Sequence, residues 1–150
     1  MSEVMPEADG LAQVRALLAT GRQPSMGETL RVSLVEVDRG RSVFEGRPDA
    51  SVLNPMGGVH GGYAAAMLDS ACGIAAHSSL KAGQAYTTLE LKISYVRGLT
   101  KESGLCRAEG RVVSVGRRVA FAEASLHDER GRLCATATST LLVFEAQPSP

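Results

Sequence analysis

The sequence predicts an α+β fold, one antiparallel sheet wrapped around a single central helix, and three observations carry that reading. From Thr87 onward, four consecutive stretches alternate apolar and polar side chains with period two. Two shorter alternating stretches precede them, at 30–38 and 42–46. Between the two groups stands one long apolar segment, about 61–77, in which Ala64, Ala65, Ala66, Ala71, Gly73, Ala75 and Ala76 leave nearly every side small. A sheet can close tightly on such a helix, and consecutive, closely spaced strands favour antiparallel pairing.

The elements follow in order. Residues 1–8 and 146–150 read as tails around one domain, 9–145. "DGLAQVRALLATG" spaces Leu11, Val14, Leu17 and Leu18 helically, with Asp9 as N-cap and Gly21 as the stop. "LRVSLVEVD" and "SVFEG" are two strands joined through "RGR", a hairpin signal. An irregular run, 47–60, leads into the central helix, at whose end His77 reads as a partner for the helix dipole. "TTLELKISYV", "LCRAEGRVVSV", "RVAFAEASLHD" and "RLCATATSTLLVFE" are the four later strands; "DERGR" is a tight turn between the last two, with His127 as a loop residue beside it.

Composition removes several classes of function. Sixteen basic and sixteen acidic side chains cancel, so no broad field draws in nucleic acid or an anionic membrane. The opening "MSEVMPEADG" is acidic and lacks the apolar run of a signal peptide, and the weakly polar stretch at 63–80 is too short and broken to span a bilayer. Cys72, Cys106 and Cys134 are odd in number and far apart, and they read as buried thiols in a reducing cytoplasm. The three histidines lack metal-ligand spacing, and no G-x-S-x-G, P-loop or dinucleotide fingerprint occurs. Neither a metal nor a separate cofactor is expected.

The most informative stretch is "NPMGGVHGGYAAAMLD", residues 54–69. It begins with the only Asn in the chain, passes through a glycine-rich turn and enters the apolar helix. Between Asp49 and Lys81, Asp69 is the only formally charged residue. The pattern Asn54, Gly57, His60, Gly61, Gly62 and Asp69 resembles the hotdog-fold acyl-CoA thioesterases of the phenylacetyl-CoA (PaaI-like) branch. "TTLELKISYVRG" and the closing "DERGRLCATATSTLLVF" are similar to the family's later strands, and together the matches cover about residues 30 to 144 in order.

The resemblance implies a hotdog fold and hydrolysis of an acyl-CoA, coenzyme A being part of the substrate. It assigns the thioester oxygen to the Gly61 N–H, attack or activation of water to Asp69, and orientation of the water or the reacting group to Asn54. It aligns the family's strand hydroxyl with Thr88, although Thr87 is adjacent. His60 shapes the turn or touches the sulfur. Strict alternation sets Thr88 on the face opposite Leu89 and Leu91. "VGRR" lies where related proteins touch the nucleotide, so Gly116, Arg117 and Arg118, with Arg97 and Gly62, are the expected substrate contacts; arginines suit phosphate through bidentate pairing.

The chemistry asks for the same residue types. A helix start offers free N–H groups and a positive dipole end to a developing oxyanion, and glycine lets a carbonyl approach without meeting a Cβ. The leaving thiol has a pKa of about 8.5, by analogy with Cys, so no strong general acid is needed. Spacing then imposes a condition. Eight helical residues separate Gly61 from Asp69, roughly 12 Å, too far for one carbonyl to meet both. Either the motif is not a site or its halves come from two chains; the resemblance implies the latter, a homodimer with shared active sites, alone or paired into a homotetramer. Two alternatives stand beside hydrolysis: a hotdog dehydratase or hydratase, and a non-catalytic acyl-CoA-binding module.

Overall fold

A computed structural model describes residues 7–23 and 25–147; most of the expected N-terminal tail and residues 148–150 lie outside them. Helices α1 (Gly10–Ala19), α2 (Met26–Leu30) and α3 (Gly61–His77) accompany strands β1 (Val32–Asp38), β2 (Arg41–Gly46), β3 (Gln84–Tyr95), β4 (Cys106–Val115), β5 (Val119–His127) and β6 (Leu133–Glu145). The strands form one sheet in the order β1-β2-β4-β5-β6-β3, every pairing antiparallel. The sheet curls on α3, which is the hotdog architecture that the resemblance implied.

Close approach of helix and sheet explains the small residues. On β5, Ala120, Ala122 and Ala124 are buried, and Gly110 of β4 sits so near α3 that a Cβ there would lie 2.2 Å from the Ala71 carbonyl oxygen. That same oxygen accepts the buried Ser42 hydroxyl at 2.7 Å. Met67 and Leu68 of α3 are fully buried, each contributing roughly 1.5–3 kcal/mol on a transfer scale. All three cysteines are free and buried, and burial pushes the Cys72 and Cys106 thiols up to about 12. No helix among the described residues is long and apolar enough to cross a membrane.

Helix α1 begins as the sequence predicts, the Ala12 N–H donating to Asp9 Oδ1 at 2.9 Å, and Gly21 follows its end at φ 67. Three expectations need correction: the start of the first strand, the place of His127 and the face of Thr88. The strand expected from Leu30 starts at Val32, because residues 26–30 form α2; Ser25 and Arg31 flank it at φ 55 with no glycine to mark either end. His77 stands in the last turn of α3, where burial lowers its pKa and its Nε2 lies 2.9 Å from Gln13 Oε1. His127 closes β5 instead of lying in the loop. Strand β3 pairs with β6 and ends the strand order, which makes it a sheet edge. A bulge at Leu89, between Thr88 and Glu90, shifts the alternation along β3. Thr88 is therefore opposite Leu89, which is exposed, but shares the helix-facing side with Leu91, contrary to strict alternation.

Candidate active site

The first turn of α3 holds two glycines, each engaged by one side chain. His60 is the N-cap, and its Nδ1 accepts the Gly62 N–H at 2.8 Å. An accepting Nδ1 carries no proton, so the neutral ring holds its hydrogen on Nε2. A Cβ on Gly62 would stand 2.9 Å from that Nδ1, so the cap itself asks for glycine. The Gly61 carbonyl accepts the Tyr95 hydroxyl at 2.6 Å. The Gly61 N–H has no partner among the described residues and lies at the positive end of a 17-residue helix. Of the two glycines, only Gly61 keeps a backbone donor for an anion.

The turn before the helix is pinned by its own backbone. Asn54 Oδ1 accepts the Met56 N–H at 2.9 Å, the Asn54 N–H donates to Gly58 at 2.7 Å, and Gly57 adopts φ 91, which favours glycine. The His60 N–H donates to the Val52 carbonyl at 2.8 Å, fixing where the cap begins. Asn54 thus shapes the loop with its side-chain oxygen.

About two turns along α3, Asp69 is half-buried and its Oδ1 accepts the Thr88 hydroxyl at 3.0 Å. Thr87 is exposed on the other face of the strand. Nearby, burial pushes the Tyr86 phenol and the Cys72 thiol up to about 12, and the Asp69 carboxylate adds to both. A half-buried carboxylate oriented by one hydroxyl donor can act on a carbonyl carbon or a water.

The chain does not bring its own Gly61 and Asp69 together, since both stand on α3, roughly 12 Å apart along its axis. The other expected contacts divide in the same way. Arg97 lines a small cavity, about 50 Å³, with His60, Gly61 and Tyr95. Gly116, Arg117 and Arg118 form the turn between β4 and β5; Val119 just after it pairs with Leu142, which pairs with Thr87, so this turn lies at the Asp69 end. Arg97, Arg117 and Arg118 make no ion pair among the described residues, which leaves their charge for an anionic ligand. A larger hollow, about 320 Å³, lies on the other face of the sheet among Lys92, Glu109, Arg111 and Glu123, and none of the expected site residues lines it. The sequence reading missed Tyr95, which it placed in a strand without a role. Nothing local marks an aromatic near a strand end as reaching a helix start 34 residues earlier.

Comparison with known proteins shows the family to which the chain is similar. A family model described as the thioesterase superfamily matches residues 56–135, from the glycine-rich turn into β6. The chain is 25% identical over 116 residues to a 1,4-dihydroxy-2-naphthoyl-CoA hydrolase of Listeria monocytogenes, covering 77% of this chain and 93% of that protein. A thioesterase family protein from Silicibacter pomeroyi superposes with TM-score 0.79 at 30% identity, covering 91% of this chain and 99% of the other. A phenylacetic acid degradation-related protein from Ralstonia eutropha superposes with TM-score 0.76 at 31% identity, covering 86% and 97%.

Proposed function

The chain belongs to the thioesterase superfamily, and from that premise we propose that it is a cytoplasmic acyl-CoA thioesterase with active sites shared between two chains. The observation that carries this reading is the pair of half-sites on one helix: a free N–H at Gly61 and a half-buried Asp69 held by Thr88. Each half lacks what the other offers. In the shared site the Gly61 N–H of one chain holds the thioester oxygen, and Asp69 of the other attacks the carbonyl carbon or takes a proton from an attacking water. Where Asp69 attacks, the C–S bond breaks, the CoA thiolate leaves, and water then hydrolyses the acyl–Asp69 anhydride to the free acid, restoring the carboxylate. Where water attacks, its oxygen becomes part of the acid and the proton held by Asp69 passes to the departing thiolate.

Two features support pairing through a second copy. Strand β3 is a 12-residue edge with one side unpaired among the described residues, and such edges take up further strands. It also carries both Thr88 and Tyr95, one beside each half-site. A two-fold partner would then set Arg97, near Gly61, and Arg117 and Arg118, near Asp69, around one site, where CoA phosphates need cations. Further assembly of such dimers into a tetramer is part of the same reading. The relatives named for naphthoyl-CoA and phenylacetic acid favour an aromatic acyl group over a medium-chain one.

A panel of aryl-, phenylacetyl- and medium-chain acyl-CoAs, with free thiol read by a thiol reagent, tests the activity. The expected result is thiol release with at least one class. A dehydratase or hydratase alters the acyl group and releases no thiol, and its pairing of a catalytic His with the carboxylate fits poorly with a His60 whose Nδ1 is taken by Gly62. A binding module binds and changes nothing, and has no use for a carboxylate in an apolar helix. Within the enzyme reading, Thr88→Ala lowers kcat roughly ten- to a thousandfold, the scale of one lost oriented donor, while Thr87→Ala leaves it unchanged. Steady-state kinetics on both variants decides between the two threonines.

A further inference from the structure

We propose that Tyr95 is a positioning residue that holds the Gly61 peptide in the geometry its N–H needs, a role that rests on the Gly61 reading above. Two consecutive glycines at a helix start cost order, since glycine loses more freedom on folding than any other residue. An oxyanion donor, in contrast, works through preorganisation. The structure answers with one clamp for each glycine. His60 Nδ1 takes the Gly62 N–H at 2.8 Å, and the Tyr95 hydroxyl donates to the Gly61 carbonyl at 2.6 Å.

The Tyr95 clamp is the one aimed at the reacting side. Its ring and hydroxyl lie against Gly61, 3.2–3.7 Å from where a Cβ would stand, and it lines the same small cavity as His60, Gly61 and Arg97. Tyr95 is more than half exposed and lies outside the buried core, so its hydroxyl adds little to the stability of the chain. Its contact to Gly61 reaches across from a different element, β3, whose own pairing to β6 fixes the strand beneath it at Tyr95–Ala135. Fixing the carbonyl on one side of the Gly61 Cα restricts ψ there, and with it the direction in which the N–H on the other side points.

The test is Tyr95→Phe, which removes the hydroxyl and keeps the ring. The expected result is a fall in kcat of about five- to tenfold, the scale of one net hydrogen bond, with KM within twofold and the melting temperature unchanged. A stabilising contact alone would move the melting temperature and spare kcat; a substrate contact would raise KM. Unchanged kcat, or a rise confined to KM, overturns the role. A second measurement uses Gly61→Ala, whose Cβ would crowd the Tyr95 hydroxyl while keeping the N–H. If displacement of Tyr95 carries its loss, the double variant with Tyr95→Phe is no worse than the poorer single variant, whereas multiplying losses overturn the clamp. An inactive Asp69→Asn beside an unaffected Tyr95→Phe sinks the positioning role alone. A fully active Asp69→Asn sinks the site reading beneath it.

Discussion

Asp69→Asn is expected to fold, assemble and bind acyl-CoA like the parent chain, and to lose at least about a hundredfold in turnover. Asn matches Asp in shape, and its amide oxygen can still accept the Thr88 hydroxyl that now sits 3.0 Å from Oδ1. What the substitution removes is the negative charge and the ability to attack or to take a proton. If Asp69 serves only packing or solubility, the isosteric change should cost little. Circular dichroism and size exclusion establish folding and assembly, equilibrium binding establishes substrate uptake, and thiol release gives kcat. Retention of more than about a tenth of the parent kcat ends the catalytic assignment, since a positioned acid or base contributes at least a hundredfold.

What the sequence made legible here follows from which interactions are local. The span of α3 and the cap on α1 depend on residues within a turn or two of each other, and period and capping rules reach them. The existence of six strands was legible for the same reason. Strand neighbours were not, because the pairing of β3 with β6 is decided by how the whole sheet closes. The bulge at Leu89 has no glycine to announce it, yet it decides that Thr88 and Leu91 share a face. Helix α2 stayed hidden because its ends use Ser25 and Arg31 at positive φ, conformations that those residues seldom adopt. Arg31 also ion-pairs with Asp49, 18 residues away.

The site divides along the same line. The motif from Asn54 to Asp69 is contiguous, and its residue types and spacing could be weighed against thioester chemistry directly. The internal workings of the turn could not. That His60 gives its Nδ1 to Gly62, and that Asn54 folds its oxygen back onto the Met56 N–H, are facts of conformation. Both reduce what those residues can offer a substrate. They also sharpen the role of Gly61, whose N–H is the one left over, and bring in Tyr95 from a strand that the sequence could only describe as alternating.

Mixing two inactive chains is expected to restore activity to about a quarter of all sites. One chain carries Asp69→Asn and the other Gly61→Pro, which deletes the N–H. The local structure suits proline there: Gly61 is the first residue of α3, and His60 before it has φ −58 and ψ 133, the extended conformation that a following proline favours. The Tyr95 hydroxyl would need to give way by a few tenths of an ångström, at the far end of a side chain that is more than half exposed. In a mixed dimer one site joins intact Gly61 from the first chain to intact Asp69 from the second, and the other site is defective twice. Random pairing makes about half the dimers mixed, each with one working site of two. The chains need to be co-expressed or refolded together, since an obligate dimer does not exchange freely, and the Gly61→Pro homodimer is first shown folded and dimeric. If mixed dimers form and activity stays at the level of the separate variants, sites are not shared. Gly61 and Asp69 would then stand roughly 12 Å apart on one helix with no thioester able to reach both.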